Sequence, residues 1–323
     1  MTNLTLAICM YNAEKYIEET LESVMAQTMQ DFHLLIVNDC STDGSVDVVE
    51  QFFARHPRQH ELATFDENKG IGYARHFAER KANTKYMMFL DADDVLYPNA
   101  IEKMYNKITA DNDLMAVGCH LEYVNEHSKK IGGGLFLGEK TKKGFYEKAN
   151  NRKLIFMQPT AIYDREFALS VGGYVVDGYP EGKPRYQDYC EDLDLWTRMS
   201  DLYTQGKAII VVPEVLCKYR KIGNGLSANS FNMILKMRYT KKNLLLRRSG
   251  EKELTFIEFY NSLSRKEMRA LKRDAKAADS LRNGAFYLKR KNIFKGTWEI
   301  MKSIYYRPGY IFDKLKHNFL KKK

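Results

Sequence analysis

The chain has 323 residues, of which 44% are hydrophobic and 28% are charged, a composition that excludes a wholly disordered protein. No apolar run approaches the roughly 18 residues that suggest a membrane-spanning helix. The net charge of +10 is unevenly distributed: residues 231–323 hold 25 Lys and Arg against 8 Asp and Glu, which leaves −7 for residues 1–230. This asymmetry predicts an anionic partner for the basic part, either a membrane surface or a nucleic acid.

Strand and helix patterns alternate over residues 1–120. Short, nearly continuous apolar runs predict buried strands at residues 4–10, 32–37, 62–65 and 86–90. Amphipathic helical patterns separate these runs, and Asn12 is predicted to cap the first helix. The alternation predicts an α/β fold with a mostly parallel central sheet flanked by helices.

The fourth predicted strand ends in three carboxylates, those of Asp91, Asp93 and Asp94. Adjacent carboxylates repel one another unless a cation or hydrogen-bond donors balance them. Because the carboxyl ends of strands in open α/β sheets bind ligands, the cluster is a candidate site for Mg²⁺ or Mn²⁺. The competing interpretation is a solvated acidic turn before a helix that begins at Pro98.

A second acidic cluster comprises Glu191, Asp192 and Asp194 and opens an apolar helical pattern. Carboxylates in a first helical turn favour the positive end of the helix dipole, so capping explains them. The functional alternative is a carboxylate general base beside a substrate pocket. Spacing alone favours capping.

Composition predicts the organisation of the rest of the chain. Residues 131–148 are rich in Gly and Lys and are expected to form a flexible connection. We therefore expect an α/β domain over residues 1–230, divided near residue 120, and a basic helical region over residues 231–323.

The basic region ends in an amphipathic pattern over residues 298–323. Apolar residues recur at helical spacing among lysines, namely Trp298, Met301, Tyr305, Ile311, Leu315 and Phe319. The pattern is typical of a segment that lies in an anionic membrane surface. It is equally compatible with apolar stripes that dock on the protein's own catalytic domain.

The cysteines and the N-terminus bear on location. The five cysteines form no CxxC pair and no even framework, so we expect reduced thiols. The N-terminus has no basic stretch followed by an apolar h-region, which favours a cytoplasmic protein. A peripheral position at the inner face of the cell membrane is the variant in which the basic tail binds lipid.

Five stretches in order resemble the family 2 glycosyltransferases, inverting enzymes with the GT-A fold that include bacterial polysaccharide enzymes. They are residues 9–12, 37–43, 68–75, 89–94, and 172–174 taken with 191–196. The resemblance covers residues 4 to about 220, and it leaves the basic tail unexplained. It implies a Rossmann-like GT-A catalytic domain over residues 1–230, with a nucleotide-sugar-binding half (1–120) and an acceptor half (121–230). Such a domain transfers a sugar from a nucleotide donor.

The resemblance also implies roles for the donor side. Asp39 would accept the N3 hydrogen of uracil, Tyr11 would pack against the base, and Arg75 would reach the base or the diphosphate. Asp91 would lie near the ribose and the waters of a Mn²⁺ or Mg²⁺ ion, and Asp93 would be the direct metal ligand. The expected donor is therefore a UDP-sugar.

On the acceptor side, the resemblance implies that Asp192 deprotonates the acceptor hydroxyl and that Glu191 orients Asp192 or the acceptor. Inversion follows if that hydroxyl attacks the anomeric carbon opposite the leaving group, without a covalent intermediate. The expected acceptor is a glycan or a lipid-linked glycan, and no nucleic acid is expected as a partner.

The sequence departs from the family pattern at three positions. Cys9 replaces a common Pro, Asn38 replaces an acid, and Ile222 stands where many relatives have a His that binds diphosphate or metal. Because Ile cannot coordinate a metal, Asp93 is expected to carry an unusually large share of the metal binding. Arg220 and Lys221 are then candidate phosphate partners.

Two other functional classes are weighed against this one. A dinucleotide-dependent oxidoreductase would need G-x-G-x-x-G after the first strand, which is absent. A nucleic-acid-binding or membrane-binding protein would use the basic tail and carry a non-catalytic α/β domain, but acidic clusters at strand ends do not fit a nucleic-acid surface.

Overall fold

A computed structural model describes residues 3–131, 137–221, 225–289 and 291–311. The chain divides into two compact units. The first comprises Met1–Gly223 and Thr240–Glu253, and the second comprises Asn224–Tyr239 and Leu254–Lys323.

The first unit opens with the predicted alternation of strands and helices. The elements are β1 (Leu4–Met10), α1 (Ile17–Met25), β2 (His33–Asn38), α2 (Ser45–Arg55), β3 (Glu61–Thr64), α3 (Ile71–Lys81) and β4 (Tyr86–Asp91). Strands β3, β2, β1 and β4 lie side by side, and each neighbouring pair is parallel. All four predicted strands are present, with ends shifted by at most one residue.

The second half of the sheet is mixed. Its elements are β5 (Val95–Leu96), α4 (Ala100–Thr109), β6 (Leu114–Val124), α5 (Lys142–Asn150), β7 (Ala161–Asp164), α6 (Arg165–Ser170), α7 (Glu191–Met199) and β8 (Ala208–Arg220). Strand β7 pairs antiparallel with both β4 and β6, whereas β6 and β8 are parallel. The full order is β3-β2-β1-β4-β7-β6-β8-β5.

The central strands are buried on both faces, as their continuous apolar sequences predict. All seven residues of β1 are buried, and Met87, Met88 and Phe89 of β4 are buried beside them. All five cysteines are free thiols, in agreement with the expected reduced state.

Three local predictions are wrong. Asn12 does not cap α1, which begins at Ile17; it adopts a positive φ, and its Oδ1 accepts a hydrogen bond from the Thr42 amide at 2.8 Å. The lysine-rich part of the segment predicted to be flexible, residues 139–148, forms most of α5, because the Thr141 hydroxyl caps this helix and Phe145 anchors it in the core; the glycine-rich residues 132–136 lie outside the described residues. The helix expected to begin at Pro98 begins at Ala100.

The second unit is helical. It contains the first part of α8 (Ser230–Arg248), followed by α9 (Phe256–Ser262), α10 (Arg265–Lys289) and α11 (Ile293–Tyr306). Thr255 and Glu258 form a reciprocal capping box at the start of α9. No helix in the described parts of the chain is long and apolar enough to cross a membrane.

Helices α10 and α11 pack closely through small residues. A Cβ atom at Gly296 would lie 2.6 Å from the Leu288 side chain, so only glycine permits this approach. The Ser303 hydroxyl donates a hydrogen bond to the Ala277 carbonyl at 2.8 Å. The face of α11 that meets α10 therefore contains Gly296 and Ser303, with Ile300 packed beside Gly284 of α10.

Candidate active site

The parallel strands bring three loops to one edge of the sheet. Cys9 of β1 aligns with Val37 of β2 on one side and with Asp91 of β4 on the other. The loops that follow these strands carry Tyr11, Asp39 and the acidic cluster. The carboxyl edge of the sheet thus gathers the residues predicted for the donor side, where α/β sheets bind ligands.

Asp39 is buried, and both of its carboxylate oxygens are engaged. Oδ1 accepts from the Lys69 amide at 2.6 Å, and Oδ2 accepts from the Gly70 amide and from Asn68 Nδ2, both at 2.8 Å. Burial raises the pKa of Asp39 above its ordinary value, although the two amides oppose this shift. In this structure Asp39 fixes the 68–70 loop, and its predicted contact with a base stays a prediction.

Tyr11 is 49% exposed. Its neighbour Asn12 holds the 41–42 turn through two hydrogen bonds. Asn12 Oδ1 accepts from the Thr42 amide, and the backbone amide of Asn12 donates to Ser41 Oγ. An exposed ring on a fixed turn can provide a stacking surface for a planar group.

Arg75 links the two acidic clusters. Its side chain projects from α3 and is 2% exposed. Nη2 donates to Asp91 Oδ1 at 2.6 Å, and Nη1 donates to Glu191 Oε1. Burial lowers the pKa of Arg75, but the charges of Asp91 and Glu191 outweigh it and hold that pKa well above its ordinary value. The sequence predicted the proximity of Arg75 to the donor side but missed this bridge.

The three carboxylates of the first cluster have different surroundings. Asp94 is fully buried, and its Oδ1 accepts from the Arg220 amide at 2.9 Å. It stands before the short strand β5 and not at a helix start, so it ties this turn to β8. Burial and the nearby charge of Asp91 raise the pKa of Asp93 to about 7. Asp91 and Asp93 therefore form a negative pair that a cation would relieve.

Arg220 is unsuited to the predicted phosphate contact. Nη2 donates to Glu19 Oε2 at 2.7 Å, Nε donates to the Asp93 carbonyl at 2.8 Å, and Nη1 donates to Ser128 Oγ at 2.9 Å. Its side chain is fully buried, so it fixes the backbone of the acidic turn. Lys221 is exposed and lies over the rings of Tyr123 and Tyr219. Ile222, the departure from the family pattern, lies outside the described residues.

The second cluster lies at the N-terminus of α7. Cys190 has a φ of 51° immediately before the helix, and Glu191 and Asp192 form its first turn. Burial raises the pKa of Glu191 to about 8, with the charge of Arg75 acting against the shift. Burial also raises the pKa of Asp192, and Arg75 again opposes it. Asp194 differs, because it pairs with Arg198 one turn later at 2.9 Å.

The Gly172–Tyr174 stretch explains how α7 is held. Arg198 donates from Nη2 to the Gly173 carbonyl at 2.7 Å, and the Tyr174 amide donates to Glu79 Oε2 at 2.9 Å. Tyr174 is fully buried and meets Phe89 of β4 edge-on. The Gly172–Tyr174 stretch thus fastens α7 to α3 and β4.

Sequence reasoning missed Asp188 and Arg185. Asp188 Oδ1 accepts from the Gly72 amide at 2.9 Å, and burial raises its pKa to about 6. Arg185 donates to the side chain and carbonyl of Asn68. Both join the loop before α7 to the loop that Asp39 fixes. No spacing signal marks them, since their partners lie more than a hundred residues away.

The site offers a metal ion two carboxylates, those of Asp91 and Asp93. Within the four described ranges, no group of three or more His, Cys, Asp or Glu residues could hold a metal ion. Magnesium is commonly bound by one or two carboxylates together with substrate phosphates, so Asp91 and Asp93 fit that mode of binding.

The sequence matches the profile of glycosyl transferase family 2 over residues 5–169, half of the chain. The chain belongs to glycosyl transferase family 2. The predicted family and the predicted enzyme class, a glycosyltransferase, are confirmed by this match.

Proteins of known name share parts of this family 2 chain. It is 40% identical over 116 residues to a teichoic acid poly(glycerol phosphate) polymerase of Staphylococcus epidermidis, which covers 36% of the chain and 16% of the polymerase. It is 26% identical to an uncharacterized glycosyltransferase of Haemophilus influenzae over 70% of the chain and 67% of that protein. It is 32% identical to an Escherichia coli chondroitin synthase over 41% of the chain and 19% of the synthase. The chain thus spans a small part of two of these relatives.

Solved structures confirm the predicted GT-A architecture. S. aureus TarS 1-349 in complex with UDP-GlcNAc has a TM-score of 0.56 and 18% identity, covering 95% of this chain and 92% of that one. The mannosyltransferase PcManGT from Pyrobaculum calidifontis, in complex with GDP-Man and Mn²⁺, has a TM-score of 0.55 and 20% identity, covering 97% and 88%. At such identities the likeness concerns the fold.

Proposed function

We propose that this family 2 transferase moves a sugar, with inversion, from a UDP-sugar to a hydroxyl of a glycan or lipid-linked glycan. The observation that carries the proposal is the bridge from Asp91 through Arg75 to Glu191. It places the carboxylate cluster of the donor side and that of the acceptor side on one guanidinium. A transferase needs such proximity, since donor and acceptor must meet within one site.

The donor side supports a nucleotide diphosphate. An exposed Tyr11 can stack on a base, and the loop fixed by Asp39 borders the same edge. A UDP complex and a UDP-GlcNAc complex exist for TarS, a protein of the same fold. We assign Tyr11, Asp39 and Asp91 to donor binding, and Arg75 to the alignment of Asp91.

The acceptor side supports base catalysis by Asp192. A carboxylate whose pKa is raised by burial holds a proton better than an ordinary one, and this makes it a stronger general base. Asp192 removes the proton of the acceptor hydroxyl as the hydroxyl oxygen attacks the anomeric carbon. The bond to the diphosphate breaks on the opposite face, and no covalent intermediate is needed. Glu191, held by Arg75, positions this turn of α7.

Asp93 is the direct ligand in this proposal, with Asp91 beside it. Bound Mn²⁺ or Mg²⁺ would stabilise the negative charge of the departing nucleoside diphosphate. The Mn²⁺ in the PcManGT complex supports this assignment for the fold. The raised pKa of Asp93 supports it for this chain, because a cation would favour the ionised carboxylate.

The names of two relatives, a teichoic acid polymerase and a chondroitin synthase, support a polymer acceptor. The domain boundaries at residues 120 and 230 stay part of the proposal, as does the peripheral position at the cytoplasmic membrane face. We do not propose a nucleic acid partner.

The test is a donor screen followed by two variants. The purified chain is mixed with Mn²⁺ and individual UDP-sugars or GDP-mannose, and release of the free nucleotide is measured with and without glycan acceptors. With the accepted donor, we expect Asp93→Ala and Asp192→Asn to lower turnover by about 10²-fold or more. Asp177→Asn, at an exposed position of the loop before α7, serves as the control. Full turnover in either folded site variant would contradict the assignment.

A further inference from the structure

Helix α11 exposes its apolar stripe, which is the reverse of the usual arrangement in a globular protein. Such a helix normally turns its apolar stripe towards its neighbours and its polar side chains towards water. Here Gly296 and Ser303 are buried against α10 and Ile300 approaches Gly284 of α10, but most of the large apolar side chains of α11 are exposed.

The outer face of α11 is strongly exposed. Phe294 is 85% exposed, Tyr305 83%, Met301 56% and Trp298 55%. These residues recur at i, i+4, i+7 and i+11, so they share one side of the helix. The outer face of α11 consists of Ile293, Phe294, Trp298, Met301, Ile304 and Tyr305. A contiguous apolar face of this kind marks an interaction surface.

The stretch of sequence that contains this face is basic. Residues 289–307 contain six Lys and Arg and one Glu, a balance of +5. Lys291 and Lys295 are both exposed at the N-terminal end of α11. A partner must therefore accept apolar side chains and present negative charge beside them.

We propose that the outer face of α11 lies in the surface of an anionic lipid bilayer. The helix has 14 residues and is ~21 Å long, shorter than the ~30 Å hydrocarbon core, so it lies in the interface and does not cross it. Aromatic side chains such as Trp298 and Tyr305 suit the headgroup level, and lysines contact lipid phosphates. The surface thus begins at Ile293, upstream of the 298–323 segment that the sequence pattern indicates, and residues 312–323 of that segment lie outside the described residues.

Two other occupants fit less well. A two-fold contact with a second copy would place the same patch on both sides, and Lys291 and Lys295 would face like charges. A single-stranded nucleic acid would use the aromatic rings for base stacking, but it would leave Ile293, Met301 and Ile304 without a role. A bilayer accounts for the aliphatic, aromatic and basic side chains together.

The test is co-sedimentation of the full chain with vesicles of phosphatidylcholine alone or with added phosphatidylglycerol. We expect binding to the anionic vesicles, and we expect the triple variant Phe294→Ser, Trp298→Ser and Tyr305→Ser to weaken it at least about tenfold. The matched control is Ile257→Ser with Tyr260→Ser, which removes two exposed apolar residues of α9 in the same unit. This control should bind as the wild type does.

A second variant isolates the charges. Lys291→Gln with Lys295→Gln should reduce the preference for anionic over neutral vesicles by about fivefold per lysine. Circular dichroism and nucleotide-sugar turnover with a water-soluble acceptor should be unchanged in all three variants. Because turnover is measured apart from vesicle binding, a failure of this inference leaves the proposed reaction intact, and the reverse holds as well.

Three results would overturn the proposal. The first is equal vesicle binding by the wild type and the triple variant. The second is a wild type that is dimeric in light scattering and does not bind vesicles, with a monomeric triple variant, which would assign the face to a second copy. The third is a loss of affinity for single-stranded oligonucleotides in the triple variant without any vesicle binding by the wild type.

Discussion

Arg75 occupies the most constrained position in the site. A buried guanidinium is costly unless its charge is paired, and Asp91 and Glu191 pair that of Arg75 through Nη2 and Nη1. The planar guanidinium of Arg75 also fixes the distance between the carboxylates of Asp91 and Glu191. Arg75 is therefore a positioning residue that acts through Asp91 and Glu191.

Arg75→Lys should separate positioning from charge. Lysine keeps the positive charge but cannot donate along two fixed directions, so the two acidic clusters lose their common alignment. We expect turnover to fall about 100-fold, the effect typical of small misplacement, while UDP still raises the melting temperature. Turnover and thermal shift are measured on the same preparation.

The control for this substitution is Arg80→Lys on the same helix, where the side chain is 42% exposed and pairs with Glu79 at 3.6 Å. It should retain turnover because it contacts neither acidic cluster. Equal losses in Arg75→Lys and Arg80→Lys would show that the effect is a general one on α3. Loss of UDP binding in Arg75→Lys would instead assign Arg75 to the nucleotide, as the sequence resemblance implied.

Residue identities in the site were predictable from sequence, but their contacts were not. Motif order and strand ends pointed to Asp39, Asp91 and Asp93 at one edge, and the structure places them there. The engagement of Asp39 by the 68–70 loop could not be read from the sequence, because local hydrogen bonding in a loop leaves no periodic signal. The same reason explains why Asn12 was mistaken for a cap.

At the scale of elements, α7 depends on the turn at Gly172–Tyr174. Gly173 has a φ of 62°, and a Cβ atom there would overlap Glu79 Oε2. Glu79 is fully buried, and it accepts hydrogen bonds from the Tyr174 amide and, at 3.1 Å, from the Tyr163 hydroxyl. The turn therefore transmits the position of α3 to the segment that leads towards α7.

Gly173→Ala should destabilise the protein by two separate effects. A left-handed backbone costs about 1 to 2 kcal/mol for alanine, and displacement of the buried Glu79 carboxylate adds to this. We expect a loss of at least ~3 kcal/mol in the free energy of unfolding, measured by urea denaturation.

Gly206→Ala is the matched control, because Gly206 also has a positive φ of 76° but no atom lies within 4 Å of its added Cβ. It should show only the backbone effect of about 1 to 2 kcal/mol. If both substitutions cost the same, the Glu79 contact does not determine this turn.

The strands were easier to predict than the connections between them. Residues 4–10 and 86–90 form nearly continuous apolar runs, which predict buried strands whichever elements pack on their two faces. Helix α5 was not predicted, because lysine-rich stretches are typical of loops. The buried Phe145 that anchors this helix is a single residue and forms no periodic pattern. The outward apolar face of α11 was also beyond prediction, since periodicity shows that a helix has two faces but not which one packs.

At the scale of the whole molecule, the acidic side chains of the site and the basic side chains of the C-terminal region have different surroundings. Carboxylates of Asp93, Asp188 and Glu191 are drawn from distant parts of the chain to the carboxyl edge of the sheet, and burial raises the pKa of each. Among the described residues of 231–323, most lysines are exposed, although Lys236 is buried. We therefore expect pH to act mainly through the buried carboxylates and salt mainly through the exposed lysines.

The pH dependence can be predicted in sign from Asp188. Its pKa rises from 3.8 to about 6 on folding, so the folded state keeps a proton that the unfolded state has released. The contribution of Asp188 to the free energy of unfolding therefore falls as pH rises from about 4 to about 6, and the loss persists above that range. A shift of about two units corresponds to ~3 kcal/mol. Asp188→Asn cannot ionise but can still accept from the Gly72 amide, so its advantage over the wild type should grow by ~2 to 3 kcal/mol between pH 4 and pH 7 in urea denaturation. The exposed Asp177→Asn should show no such growth, and a pH-independent difference for Asp188→Asn would contradict the burial of its carboxylate.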